Sequence, residues 1–206
     1  MAVFVHSNDL PDGLDLGGII AVDTETMGLV CRRDRVCLVQ LSSGDGDAHL
    51  VKFSGDYSAP NLRRIISNQD IMKIFHFARF DVAAIRHCFG MWAIPCYCTK
   101  IASRLVRTYT NHHGLKDLCY ELLGVKISKA QQSSDWGREV LTSEQLSYAA
   151  ADVIYLHDIK KKLDMMLERE DKQELAESCF KFIPARAELD LLGWDGVDIF
   201  SHQTQL

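Results

Sequence analysis

Acidic residues that could bind metal lie in three separated segments of the 206-residue chain. The segments are Asp23-Thr24-Glu25, Phe80-Asp81 and Tyr148-Ala-Ala-Ala-Asp152. Carboxylates that share a pocket raise one another's pKa, so a cluster of them is costly unless cations are present. Mg²⁺ and Mn²⁺ remove that cost because they prefer oxygen ligands. The three segments therefore predict a divalent-metal site for phosphoryl chemistry, with the four carboxylates as its ligands.

The first acidic pair follows a run of apolar residues, Ile19 to Val22, which predicts a central buried strand. Asp23 and Glu25 alternate along that strand, so both side chains emerge on the same face. An Asp-x-Glu pair alone is a weak signal, because an exposed strand end also explains it. A buried strand disfavours that explanation, since charge in such a place needs pairing or ligation.

The tyrosine and the last acid lie four residues apart on a predicted helix. The helix begins near Thr142, because Thr142-x-x-Gln145 has the spacing of a capping box. Its apolar stripe predicts the longest helix of the chain; the stripe comprises Leu146, Ala149, Val153, Leu156, Leu163 and Met166. Tyr148 and Asp152 share one face of it. If the helix packs on the first strand, both side chains meet Asp23 and Glu25.

The remaining segments predict an α/β layer fold, in which a mixed sheet is flanked by helices. The predicted strands are Gly18–Asp23, Arg35–Ser42, Ala48–Phe53, Ile71–Phe77 and Trp92–Cys96, and the predicted helices include Pro60–Ser67 and Asp81–Phe89. The first three strands form an antiparallel meander because their connections are short. Asp81 has two interpretations at this point, as a metal ligand or as the N-cap of the helix it starts.

Composition and charge restrict the class of protein and of ligand. The net charge is −5, with a pI near 5.9, which favours a short ligand held by metals over a long nucleic acid held by basic surface. No apolar run approaches the roughly 18 residues of a membrane helix, and the first residues lack a secretory pattern. Seven cysteines, an odd number scattered through apolar segments, indicate reduced thiols. We therefore expect a cytoplasmic protein without a membrane partner.

The acidic motifs resemble those of the DEDD 3′–5′ exonucleases, in the subclass with tyrosine in the third motif. Further segments are similar to the ribonuclease D group; they are Val22-Asp-Thr-Glu-Thr, Val39-Gln-Leu, Lys73-Ile-Phe-His-Phe-Ala-Arg-Phe-Asp, Ser134-Asp-Trp and Tyr148-Ala-Ala-Ala-Asp-Val-Ile-Tyr-Leu. The resemblance implies a ribonuclease H-like fold in a single exonuclease domain over residues 1–206. Its catalytic core spans about 15–170, and a helical C-terminal extension spans about 171–206.

The resemblance also implies the cofactors and the role of each site residue. Two divalent cations, Mg²⁺ or Mn²⁺, are expected in the site. Asp23 bridges them, Glu25 and Asp152 bind the cation on the nucleophile side, and Asp81 binds the second cation, directly or through water. Tyr148 orients the attacking water. Nucleoside 5′-monophosphates are released from the 3′ end.

The compact length and several shorter motifs are similar to short members of this family that clear RNA dinucleotides. That similarity implies a dinucleotide substrate and self-association into a homo-oligomer, an octamer in those members. Leu29 lies where related enzymes carry a leucine that wedges between two bases; a core residue at a loop end is the alternative. His76 could contact a phosphate or be a core histidine.

Other basic and aromatic residues have two interpretations each. Lys100, Arg104 and Arg107 have helical spacing and could face phosphate, or they could form a solvated or subunit-facing surface. Trp136 and Trp194 are expected to be packing or interface anchors.

Three competing functions remain at the level of sequence. One is a ribonuclease D-like exonuclease for longer RNA or DNA. Another is a phosphatase of the haloacid dehalogenase class with Asp23 as nucleophile, although that class gives Tyr148 no role. The third is an inactive nucleic-acid-binding scaffold, which the presence of all four carboxylates disfavours.

Overall fold

The computed structural model describes residues 2–128 and 130–202, and within them it contains six strands and seven helices. The strands are β1 (Val3–Ser7), β2 (Ile19–Thr26), β3 (Val36–Ser42), β4 (Ala48–Lys52), β5 (Met72–Phe75) and β6 (Cys96–Cys98). The helices are α1 (Pro60–Ile66), α2 (Ala78–Phe89), α3 (Thr99–Val106), α4 (Leu115–Leu123), α5 (Ser143–Ile154), α6 (Leu156–Arg169) and α7 (Gln173–Leu191).

The strands form one mixed sheet in the order β1-β4-β3-β2-β5-β6. The predicted antiparallel meander is confirmed, because β3 pairs antiparallel with both β2 and β4. The other neighbours are parallel. Every residue of β3 is buried, as expected for a strand covered on both faces by helices. The predicted α/β layer architecture is therefore confirmed.

The edge strand β1 was not predicted. The strand has only five residues, and their burial does not alternate strictly between exposed and half-buried positions. The segment therefore lacks the clear two-residue periodicity of a strand. The strand exists because β4 offers a free edge to which it adds in parallel. The last strand, β6, begins at Cys96, later than predicted. Pro95 immediately precedes it and has no N–H for a ladder bond, so regular pairing starts beyond it.

The helix that carries Tyr148 begins with the predicted capping box. The Thr142 hydroxyl accepts from the Gln145 backbone N–H at 3.2 Å, and the Gln145 side chain accepts from the Thr142 N–H at 2.9 Å. The prediction of one long helix was wrong: α5 ends at Ile154 and α6 begins at Leu156. Among the described residues α7 is the longest helix, with 19 residues. The apolar stripe continues across the break, so periodicity alone does not detect it.

The helix α2 starts at Ala78, three residues before the predicted start. Its N-cap is Phe77, which has a left-handed backbone (φ 71°) and makes no side-chain capping bond. Asp81 therefore lies inside the first turns of the helix, and its interpretation as an N-cap is wrong. Its carboxylate is free to face the sheet.

The predicted C-terminal extension contains α7, which packs along α2. Arg79 of α2 donates to the Asp190 carboxylate at 2.7 Å and to the Asp195 carbonyl at 2.7 Å, and Arg186 donates to Asp190 at 3.1 Å. Residues 203–206 of the extension lie outside the described residues. In the part of the chain that the structure describes, no helix is both long and apolar enough to cross a membrane.

Candidate active site

The structure brings three of the predicted carboxylates together. Asp23 and Glu25 project from β2, and Asp152 projects from α5, which packs against β2 and β3. One oxygen from each of the three lies within 4.8 Å of the others. The donor set is entirely carboxylate oxygen, which suits a hard divalent cation such as Mg²⁺ or Mn²⁺.

Burial raises the pKa of each of these three acids, and repulsion between neighbouring acids adds to the effect on Asp23 and Glu25. Burial raises the pKa of Asp23 well above its ordinary value, and the negative charges of Asp81, Asp152 and Glu25 raise it further. Burial likewise raises the pKa of Glu25, with added repulsion from Asp152 and Asp81. The cluster is therefore strained whenever it is fully ionised, and a bound cation would relieve that strain. The residues present thus fit the metal that the motifs imply.

Asp81 lies beside the cluster and is held by Thr24, the residue of β2 between Asp23 and Glu25. Its Oδ1 accepts from the Thr24 backbone N–H at 3.1 Å and from Thr24 Oγ1 at 2.7 Å. The residue is only 3 % exposed, and burial raises its pKa, whereas the Thr24 hydrogen bonds lower it in part. Its oxygens do not belong to the group of three, and its place beside that group is fixed by the bonds to Thr24, the residue between Asp23 and Glu25.

Tyr148 lies one helical turn before Asp152, and an interaction between its phenol and that carboxylate raises the pKa of the phenol and lowers the pKa of the acid. Burial, followed by the charges of Asp152, Glu25 and Asp23, raises the pKa of the phenol. Tyr148 therefore stays protonated at neutral pH. A protonated phenol can orient a water molecule by hydrogen bonding but does not act as a base.

Gln40 belongs to the site and was missed as a functional residue. It lies directly opposite Asp23 in the β2–β3 pair, and its Nε2 is 3.4 Å from Asp23 Oδ2. It is fully buried. The available signal was a lone amide inside the apolar run of β3, where a polar side chain requires a partner.

The carboxylates lie at the floor of a cavity of about 600 Å³. This volume is typical of a site for a small ligand. Leu29 lines the cavity and is 85 % exposed, so it is not the core residue of the alternative interpretation. His76 also lines the cavity, and its Nδ1 is hydrogen-bonded with Thr99 Oγ1 at 2.9 Å. Both predicted substrate-contact residues therefore border the same cavity as the acids.

The predicted basic stripe is divided by the fold. Lys100 lines the cavity, with its ammonium 4.4 Å from the centre of the Phe77 ring. Arg107 is fully buried and is bonded to Glu121, Ser103 and the His112 carbonyl, so it faces neither phosphate nor solvent. Its ion pair with Glu121, whose side chain is 37 % exposed, could not be read from helical spacing.

The two tryptophans that were expected to be anchors differ in their burial. Trp136 is 2 % exposed and packs beside Tyr148, with 6.0 Å between ring centres. Trp194 is 48 % exposed on the C-terminal segment. Trp136 is thus a packing residue within the site.

Comparisons with known proteins agree with this geometry. Residues 9–168 match the family model described as a 3′–5′ exonuclease. Ribonuclease D of Nitrobacter hamburgensis is 29 % identical over 151 residues, which cover 73 % of this chain and 39 % of that protein. DNA polymerase I of Aquifex aeolicus is 32 % identical over 152 residues, covering 74 % of this chain and 25 % of that protein. The chain thus spans well under half the length of these relatives.

Solved structures show the same fold over nearly the whole chain. NrnC of Brucella melitensis, in a structure bound to pGG, is 52 % identical with a TM-score of 0.95, covering 98 % of this chain and 100 % of that one. A second structure of that protein holds bound Mg²⁺. Ribonuclease D of Escherichia coli is 28 % identical with a TM-score of 0.73, covering 83 % of this chain and 45 % of that one. The predicted ribonuclease H-like fold and the resemblance to these nucleases are confirmed.

Proposed function

The chain belongs to the 3′–5′ exonuclease family, and from that premise we propose that it is a metal-dependent exoribonuclease for short oligoribonucleotides, dinucleotides above all. The observation that carries the proposal is the convergence of Asp23, Glu25 and Asp152, with oxygens within 4.8 Å of one another. They lie at the floor of a cavity of about 600 Å³ with the Tyr148 phenol beside them.

Two divalent cations, Mg²⁺ or Mn²⁺, would be held by Asp23, Glu25, Asp152 and Asp81. Asp23 is proposed as the shared ligand, since Asp152 and Glu25 lie with it in the group of three and the charge of Asp81 also acts on it. Bound cations would lower the pKa of the attacking water and neutralise charge on the attacking and leaving oxygens. Gln40 holds Asp23 from the neighbouring strand and restricts where its carboxylate points.

Tyr148 supplies the orientation of the nucleophile. Its phenol lies one helical turn from Asp152 and lines the same cavity as the acids, so an oxygen that it contacts lies beside the carboxylate cluster. Its raised pKa keeps the phenol protonated, and no proton needs to leave it during the reaction. Attack by water at the terminal phosphodiester would release a nucleoside 5′-monophosphate from the 3′ end.

Several features favour a short substrate. The cavity volume is that of a small-ligand site, and the net charge of −5 disfavours a long RNA held mainly by basic surface. Leu29 is exposed at the cavity edge, where it could insert between two bases, and His76 could contact the phosphate between them. The Brucella protein, which shares the fold over 98 % of this chain and 100 % of its own, was solved with pGG.

We also propose that the chain is one exonuclease domain, with a core over about 15–170 and an extension over about 171–206, and that it forms a homo-oligomer, with an octamer as the candidate state. The extension exposes large apolar side chains that a neighbouring copy would cover; they are Phe182, Leu192, Trp194 and Phe200. Size-exclusion chromatography with light scattering tests this. A monomer at micromolar concentration would contradict it.

The function is tested with 5′-labelled RNAs of increasing length, from two nucleotides upward, in the presence of Mg²⁺ or Mn²⁺. We expect the rate to peak at two nucleotides and Asp23→Ala to abolish it. Rates that rise with length would instead favour the ribonuclease D-like alternative. DNA of the same lengths and a phosphate monoester serve as controls, and a covalent phosphate adduct at Asp23 would favour the phosphatase and exclude the exonuclease.

A further inference from the structure

Gln145 is buried at the start of α5 and joins this helix to the segment that precedes it. Its Oε1 accepts from the Thr142 N–H at 2.9 Å, as the capping box requires. Its Nε2 donates to Ser134 Oγ at 2.7 Å and to the Asp135 carbonyl at 3.0 Å. The side chain is 1 % exposed, so these bonds use its acceptor and both amide hydrogens without help from bulk water. The two donated bonds are not part of helix capping and need another explanation.

The segment that is bonded to Gln145, residues 134–136, contacts the same helix again one turn further along. Trp136 follows Asp135 directly, and its ring centre lies 6.0 Å from that of Tyr148. Tyr148 is three residues after Gln145, on the adjacent turn of α5. Gln145, the 134–136 segment and Tyr148 therefore form a closed set of contacts. Ser134, Trp136 and Tyr148 all line the cavity above the carboxylates.

The helix itself does not fix the direction of the phenol. The backbone of α5 sets the position of the Tyr148 Cβ, but the ring can still turn about its side-chain torsions. Asp152 lies one turn further along the helix and interacts with the hydroxyl end, and Trp136 packs beside the ring. Trp136 lies in a segment without regular secondary structure, so no strand or helix ladder holds its backbone. The Gln145 amide supplies hydrogen bonds that such a ladder would otherwise give.

We propose that Gln145 is a positioning residue for the Tyr148 phenol. It acts through the 134–136 segment, whose Trp136 indole keeps the tyrosine ring turned toward Asp152. This inference rests on the proposed role of Tyr148 in hydrolysis. Gln145 then has two separable roles. Its side-chain oxygen caps the helix, and its amide nitrogen holds the 134–136 segment beside Tyr148.

The test compares two variants that damage the same helix end. Gln145→Met loses both tasks, whereas Thr142→Ala loses its part of the capping box and keeps both bonds to the segment. On a dinucleotide, Gln145→Met is expected to lower kcat by about 10- to 100-fold with KM nearly unchanged, as for a catalytic group displaced by about 1 Å. Thr142→Ala should leave kcat unchanged, although both variants unfold at lower temperature.

A double-mutant cycle separates positioning from general destabilisation. In a Tyr148→Phe background, Gln145→Met should cost little further turnover, because the hydroxyl that it positions is already gone. Full additivity, or equal kcat for Gln145→Met and Thr142→Ala, would overturn the proposal. If Gln145→Met does not fold, Gln145→Glu replaces it, since a carboxylate still accepts from the Thr142 N–H but donates nothing to the Asp135 carbonyl.

Tryptophan fluorescence tests the same contact without activity. In a Trp92→Phe/Trp194→Phe protein the emission comes from Trp136, and Gln145→Met should shift it to longer wavelength and increase its quenching by acrylamide. Unchanged emission and quenching would refute the anchoring. An inactive wild type would refute the proposed function, whereas an active wild type with a fully active Gln145→Met variant would refute only this inference.

Discussion

Asp152→Asn removes one negative charge from the half-buried cluster while keeping the size of the side chain and an acceptor for the Tyr148 phenol. Burial raises the pKa of Asp152 from an ordinary 3.8 to about 7. This difference means that folding disfavours the charged form of Asp152 by at most about 4 kcal/mol, because neighbouring acids titrate together. In the metal-free protein at pH 8 we therefore expect the variant to be more stable than the wild type by about 2–4 kcal/mol.

The sign of the pH dependence follows from the raised pKa in the folded state. The folded protein binds the Asp152 proton more tightly than the unfolded chain, so this contribution to stability is complete below about pH 4. It is lost as the pH rises through about 7. The advantage of Asp152→Asn should therefore be large at pH 8 and small at pH 4.

The assay is thermal unfolding in EDTA at both pH values, where about 2–4 kcal/mol corresponds to roughly 4–16 °C for a chain of this size. Adding Mg²⁺ or Mn²⁺ should stabilise the wild type more than the variant, because only the wild type has the full ligand set. Asp158→Asn, an exposed acid on α6, is the matched control and should not stabilise. A variant no more stable than wild type at pH 8, or an advantage equal at both pH values, would refute the reasoning.

Three further substitutions probe separate parts of the structure. Tyr148→Phe should lower turnover by about 100-fold or more while metal binding, measured by calorimetry, is retained; unchanged turnover would remove the phenol from the mechanism. Lys73→Met should lower the free energy of unfolding by about 2–4 kcal/mol in urea, because the buried ammonium donates to the carbonyls of Asn68, Ile71 and Ile94. Leu29→Ala should leave stability within about 0.5 kcal/mol and raise KM for a dinucleotide by about 10-fold, and an unchanged KM would contradict its contact with the bases.

The convergence of the acidic residues was predictable because these residues follow local rules. Alternation along a strand puts Asp23 and Glu25 on one face, and four-residue spacing on a helix puts Tyr148 beside Asp152. Helix capping at Thr142 is likewise a local pattern, and the structure contains it. Packing of that helix on β2 then follows from the apolar residues that both elements must bury.

Other parts of the site depend on contacts between distant residues. The bonds from Gln145 to the 134–135 segment leave no periodic signal in the sequence. The same holds outside the site for the ion pair of Arg107 with Glu121. The break between α5 and α6 is invisible for the same reason, since the apolar stripe runs through Tyr155 without interruption. Backbone exceptions such as the left-handed Phe77 are set by the turn between β5 and α2, where the residue type gives no warning.

Phe77 has a consequence for how such a protein can be improved. Its left-handed backbone destabilises the fold by roughly 1–2 kcal/mol relative to glycine at the same position. Its ring, however, forms part of the cavity wall and lies against Lys100. Laboratory evolution that selects for thermal stability alone should therefore favour Phe77→Gly and yield variants with higher stability but lower activity. Selection that also demands product formation should keep the aromatic ring and seek its gains elsewhere.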